Sequence, residues 1–349
     1  MNFNNAISLP DSIGVEMRDD PLHVKLNELL DANARFDLAA KGTTNHCPMA
    51  LVALAEMGAS PARLQAFFEM WALKYALNAP PVVTRISRRE WQTHVGERAA
   101  FGALRLCFLD WIADAGAAAV IKTVFSEVAF APATQAFHSI IRLAYGVEAG
   151  HAGEIAAGLA SLISSHLPIE IRPDESRREA EAVEAFDHIA KAFGGVAFTQ
   201  DSITARIRAV AADPRFDIAV LAPPTRANLL DDLARATINA YWHRPDFTIL
   251  HTVTVTRAVR VIFALLDDAL VSQLMPALWF ALCAAYATVG EHTGTHADIV
   301  DRDIEWPDVC RLAIASDDDH VIKMTYTCLC EHRRDPSPLY LASAARLVS

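Results

Sequence analysis

The sequence predicts an all-α fold: a single large multi-helix domain with two packed lobes and a central pocket between helices. Three observations predict it. Apolar residues recur at helical spacing from about Leu22 onward, glycine is scarce at 14 of 349 residues while alanine recurs throughout, and no pair of alternating segments flanks a convincing hairpin turn.

The elements follow in order. Residues 1–20 read as an N-terminal extension, without the basic start and apolar core of a signal peptide, and the domain is expected over 21–340. The first strong patterns are Asn45–Met57 and Ser60–Leu77. Between them, in Gly58-Ala59-Ser60-Pro61, glycine ends one helix, serine caps the next and proline takes its first turn. Trp91–Gly96 and Phe101–Phe125 come next, then Pro132–Tyr145, which Pro132 can open, and the alanine-rich Ala152–His166. Leu167–Ser176 holds two prolines and a charged cluster, so the lobe boundary is expected near 167–176. Glu175–Phe193, Thr199–Ala211 and Arg226–Tyr241 continue the helical series. Pro245-Asp246 can open Asp246–Leu266, Leu274–Thr288 follows, and three aspartates favour the positive end of Asp318–His332. The stretch Ala269–Gly290 runs 22 residues without a charge, but it contains Ser272, Gln273 and Pro276 and has no basic flank. It reads as a buried core helix, with no membrane contact expected.

Composition narrows the function classes. Hydrophobic residues make up 52% of the chain, enough for a sizeable buried site. The net charge of −11 and the lack of a basic stretch interleaved with aromatics argue against nucleic acid as a partner. The six cysteines are scattered, without a Cys-x-x-Cys pair, and read as reduced thiols of a cytoplasmic protein. No Gly-x-Gly-x-x-Gly, Gly-x-x-x-x-Gly-Lys or Gly-x-Ser-x-Gly occurs. The acid pairs Asp231-Asp232 and Asp267-Asp268 read as solvated faces.

Four histidines sit on apolar faces of four different helices. His46 shares its face with Met49, Ala50, Ala53 and Met57, His138 with Ile141 and Tyr145, and His251 with Thr254, Val255 and Ala258; His320 shares its own with Lys323 and Thr327. For any one of them, a core histidine bonded to a carbonyl is the commoner explanation. Four together suit the way helical bundles build metal sites from side chains converging across facing helices. Imidazole suits iron, zinc, copper and nickel, so ligand type alone does not choose the metal. His292 and His296 have the four-residue spacing of a helical metal pair but enclose a glycine and lack the metalloprotease glutamate. Lys323 reads either as a lysine reaching solvent or, if its amine is buried, as a neutral and reactive nitrogen.

At these residues the sequence resembles the questin oxidase-like family of fungal polyketide pathways and many bacterial proteins. The likeness spans roughly residues 25 to 335 and rests on Asn45-His46-Cys47-Pro48-Met49-Ala50-Leu51, Leu54-Ala55-Glu56-Met57-Gly58-Ala59-Ser60-Pro61, Ala136-Phe137-His138-Ser139-Ile140-Ile141-Arg142, Leu250-His251-Thr252-Val253-Thr254 and Asp319-His320-Val321-Ile322-Lys323. The resemblance implies oxidative cleavage of anthraquinone-type rings. It implies a non-haem iron site in which His46, His138, His251 and His320 are imidazole ligands and Lys323, carboxylated by carbon dioxide, supplies a carbamate; His296 also lies where a fourth histidine could come from. A thiol from Cys47, Cys328 or Cys330 is a further donor to weigh, and Phe137, Tyr145, Trp242, Trp279 and Tyr286 are either pocket walls or core.

The resulting expectation is a cytoplasmic oxygenase holding Fe2+ and acting with O2 on an apolar polycyclic small molecule. Two other readings stand beside it. One is an NADPH-dependent Baeyer–Villiger oxidase without a catalytic metal, which the missing dinucleotide fingerprint disfavours; the other is a non-catalytic helical protein that binds an apolar ligand.

Overall fold

The helical expectation holds along most of the chain, and the departures fall at glycines, prolines and left-handed residues. The computed structural model describes residues 20–171, 177, 181–225, 228–290 and 304–348. Among them are sixteen α-helices: α1 Pro21–Asn33, α2 Cys47–Glu56, α3 Pro61–Tyr75, α4 Phe101–Ala115, α5 Ala117–Glu127, α6 His138–Glu148, α7 Ala152–Ser164, α8 Ala182–Ala192, α9 Ile203–Ala211, α10 Pro214–Ala219, α11 Leu229–His243, α12 Phe247–Phe263, α13 Asp268–Val289, α14 Trp306–Ala315, α15 Asp319–Arg334 and α16 Pro338–Leu347.

Several boundaries differ from expectation for identifiable reasons. Gly116, at φ +80°, breaks the expected Phe101–Phe125 into α4 and α5. Trp91–His94 is a 3₁₀ turn. Pro132 does not open the helix of His138; the chain turns instead through Gln135, Ala136 and Phe137, three non-glycine residues with φ of 53°, 53° and 73°, and α6 begins at His138 itself. Such left-handed residues cost backbone energy and persist only where the surroundings hold them. Asp267 accepts from Leu270 N and so starts α13 earlier than Leu274. One small antiparallel sheet, in the order β2-β1-β3, corrects the expectation that no hairpin forms: β1 Phe36–Ala40 turns at Lys41-Gly42 into β2 Thr43–Thr44, and β3 Ala76–Asn78 lies on its other edge. Strands of two and three residues are too short to carry a readable alternation.

This sheet delivers the chain into α2. Asn45 donates its backbone N–H to Leu38 O (2.8 Å), its side chain bonds Asn33 and the Asp37 carbonyl, and its Oδ1 accepts from Cys47 N. His46, the next residue, is thereby fixed at the start of α2. From Cys47 to Ala55 every residue of that helix is buried.

Four helices close a ring around the centre, with α2 packed on α6, α6 on α12, α12 on α15 and α15 on α2. Outside it, α7 lies so close to α6 that a Cβ on Gly158 would stand 2.6 Å from Leu143 Cα. A second group, α8 to α10, packs with α13, which joins the ring through α12. The helix α13 is long and apolar enough to cross a membrane, but Leu278 through Ala287 are all buried within the protein, as expected of a core helix. The expected joint at 167–176 lies partly outside the described residues, as do residues 1–19 of the N-terminal extension.

Candidate metal centre

All five residues singled out on sequence lie within the first two turns of their helices. His46 caps α2, His138 is the first residue of α6, His251 the fifth of α12, and His320 and Lys323 the second and fifth of α15. Four positive helix ends therefore converge on one point in the ring, an environment that favours negative charge.

The rings are in mutual contact. His46 stacks on His138 with centroids 4.5 Å apart, His138 meets His251 edge-on at 4.7 Å, and His320 stands 4.7 Å from His46 and 5.6 Å from His251. Ligand nitrogens of His46, His138 and His320 all lie within 4.8 Å of one another. Lys323 is buried beside them, its Nζ 3.5 Å from Asp319 Oδ1.

The hydrogen bonds decide which nitrogens are free. His138 Nδ1 donates to Gln135 O at 2.7 Å, which is what the strained turn before α6 provides, and His251 Nδ1 donates to Phe247 O at 2.7 Å. A carbonyl can only accept, so both rings carry the proton on Nδ1 and leave Nε2 as a bare lone pair. These two Nε2 atoms face each other at 3.2 Å. Asp319 holds the other two rings through a single oxygen: Oδ1 is 2.8 Å from His46 Nδ1 and 3.0 Å from His320 Nδ1. The buried Nε2 of His320 has no partner, and that of His46 has the Thr43 hydroxyl at 3.4 Å. The Nδ1 atoms of all four rings are thus engaged, and the Nε2 atoms of His138 and His251 point at one another.

Burial favours the neutral form of His46, His138 and His251. It drives the pKa of His46 from 6.5 down to about 4, with Lys323 adding and Asp319 opposing, and it drives His138 and His251 well below the ordinary value, neighbouring imidazoles and Lys323 adding. Burial likewise lowers Lys323 against the opposing pull of Asp319. Asp319 would be raised by its own burial, but Lys323, His46 and His320 hold its carboxyl well below the usual carboxylate range. Nitrogen donors gathered around one carboxylate, with the bare lone pairs of His138 and His251 facing each other, suit a cation: the residues present fit a transition metal.

Asp319 was read on sequence only as one of three helix-opening aspartates. Its spacing of four before Lys323 was the available signal. The other candidates fall elsewhere. Cys47 and Cys328 are buried thiols pushed up by burial, Cys330 is half-buried with its pKa raised for the same reason, and no cysteine belongs to a candidate ligand group among the described residues. Phe137, Tyr145, Trp279 and Tyr286 are core, Tyr286 stacking on Phe186 at 4.1 Å, and Trp242 is half-buried under Arg346. Asp267 caps α13 and pairs with Lys122, and Asp231 pairs with Arg260. His292 and His296 lie outside the described residues. The central space expected as a pocket is occupied by the histidine cluster, and the crevice lined in part by Pro48, Met49, Val52 and Tyr145 has no room even for a water-sized molecule.

The family described as Questin oxidase-like matches residues 43–244 and 233–328, a span that contains all five residues and Asp319. No curated protein matches the chain.

Proposed function

The chain belongs to the questin oxidase-like family, and we propose that, within the oxygenase chemistry on polyketide-type substrates which that membership carries, it is a non-haem iron enzyme cleaving the ring of a polycyclic aromatic compound. The observation that carries the reading is the pair of Nε2 atoms on His138 and His251, 3.2 Å apart with both Nδ1 atoms committed to carbonyls. Two bare lone pairs at that distance repel. A cation held between them would turn the repulsion into two bonds.

His46, His138, His251 and His320 would hold the ion as neutral imidazoles, and Lys323 would supply the anionic donor. Bound there, ferrous iron would provide a redox-active Lewis acid for the reaction of dioxygen with the ring. Burial lowers the Lys323 pKa and so favours its neutral amine. That amine adds to carbon dioxide: the N–C bond forms, one proton leaves to solvent, and a carbamate oxygen carries the charge. The converging helix N-termini favour that charge. Asp319 meanwhile orients His46 and His320 and fixes their protons on Nδ1. The free cysteines, four of them buried, support a reducing, cytoplasmic setting.

Oxygen uptake with a hydroxyanthraquinone tests the reading. It should stop on removal of metal by a chelator and return with ferrous ion. Uptake that requires NADPH and survives chelation, or ligand binding without any uptake, would overturn it.

A further inference from the structure

The cluster is not equally closed on all sides. His46 and His251 are each 1% exposed, the His320 side chain is 20% exposed, and beyond it Phe247 is 51% exposed. Phe247 is the one aromatic among the exposed large hydrophobic residues of the described chain. An isolated exposed aliphatic residue needs no explanation, but a phenyl ring left half in water beside a buried polar cluster is a different matter. Its ring lies 4.7 Å from that of His251 and 4.6 Å from that of His320, so it touches two of the four imidazoles while the rest of its surface faces out. Its position is firmly set. Phe247 is the first residue of α12, Asp246 caps that helix by accepting from Thr248 N, and the Phe247 carbonyl anchors His251.

We propose that Phe247 is the substrate-recognition face of the site, against which a neutral planar aromatic ring stacks so that one edge reaches His320 and the centre of the cluster. The inference rests on reading the histidine cluster as the reaction centre and adds where, and by what contact, the substrate meets it. A phenyl ring offers a planar partner an offset or edge-on contact beyond simple area burial. The charge at this edge sets the class further. At this edge the positive ends of α12 and α15 are already met by their own capping carboxylates, Asp246 and Asp318, which leaves an anionic ligand disfavoured relative to a neutral one.

Direct binding separates this inference from the assignment of the metal. The probe is a hydroxyanthraquinone in its neutral form, titrated into the full chain and followed by quenching of protein fluorescence, with metal content measured on the same samples. Phe247→Ala should bind roughly 5–10-fold more weakly, Phe247→Leu about 3-fold or more, and Phe247→Trp within about 2-fold of the unaltered protein, all with unchanged metal content. Because the side chain is half exposed and the anchoring carbonyl belongs to the backbone, folding should survive; circular dichroism of each variant checks this. Equal affinity in Phe247→Ala, full affinity in Phe247→Leu, no binding by the unaltered protein, or tighter binding of anthraquinone sulfonate than of the neutral quinone would each overturn the inference. Protein that binds the quinone through Phe247 but carries no metal would contradict the proposed iron site and leave the recognition face standing.

Discussion

The same helices carry two buried polar layers that are satisfied in opposite ways. One turn beyond His138 on α6, Arg142 is held by Glu154 of α7 through two bonds, at 2.7 and 3.1 Å, and both residues are buried. Further along α12, Arg257 pairs with Glu148, and Arg260 with Glu331 of α15 at 3.1 and 3.2 Å. In these pairs charge meets charge. In the histidine layer the donors are used up on carbonyls and on Asp319, and the Nε2 acceptors of His138 and His251 face each other. Polar groups that close on one another lock helix against helix; two lone pairs left facing each other are arranged for something brought from outside.

The largest expected effect breaks the closed layer. Glu154→Ala leaves Arg142 buried without its partner and should cost about 3–5 kcal/mol in urea unfolding, while the metal bound per folded molecule stays as it was. If stability hardly changes, the pair is not the structural lock described here.

Next is acidity, which distinguishes the layers in metal-free protein. His46 has a folded pKa of about 4 against 6.5 when unfolded, so the unfolded chain takes up the proton first. Stability is therefore full above about pH 6.5 and falls as the pH drops toward 4, by about 3 kcal/mol for this residue alone, with His138 and His251 acting in the same direction. Glu154, opposed by burial but pulled below 4.5 by Arg142, contributes stability that is lost only below that value. Between about pH 6.5 and 4.5 the loss should thus belong to the histidine layer, and urea titrations of metal-free His46→Gln should show a shallower fall. An identical slope in that variant would count against a buried neutral His46.

A smaller effect is expected at Asp319. Asp319→Asn keeps the shape but weakens the hold on His46 and His320, and metal affinity should drop about 10–100-fold, read by competition with a coloured chelator. Unchanged affinity would mean the two rings are positioned by packing alone.

What the sequence made legible was the residue type on each inward face. His46, His138, His251, His320 and Lys323 stood out because each interrupts an apolar stripe of helical period, and the structure brings all five together. Asp319 did not stand out, since Asp317, Asp318 and Asp319 look alike in a row and only the third is turned inward by the start of α15. The strained turn at Gln135–Phe137 contains no glycine to announce it. Phe247 reads as the first apolar residue of a buried helix, and its exposure follows from where α12 begins relative to α15, which is a tertiary fact. The break at Gly116 is hidden by the alanine run around it, which continues the helical pattern on both sides.

The most direct measurement is the metal content of protein purified without chelators, by mass spectrometry of the elements, for the unaltered chain and for Lys323→Ala. The account predicts about one equivalent of iron per chain in the first, a marked loss in the second, and recovery of binding by added carbonate in partly depleted unaltered protein. No transition metal in the unaltered chain, even after incubation with ferrous ion, would contradict the central claim, and equal metal in both would remove Lys323 from the site.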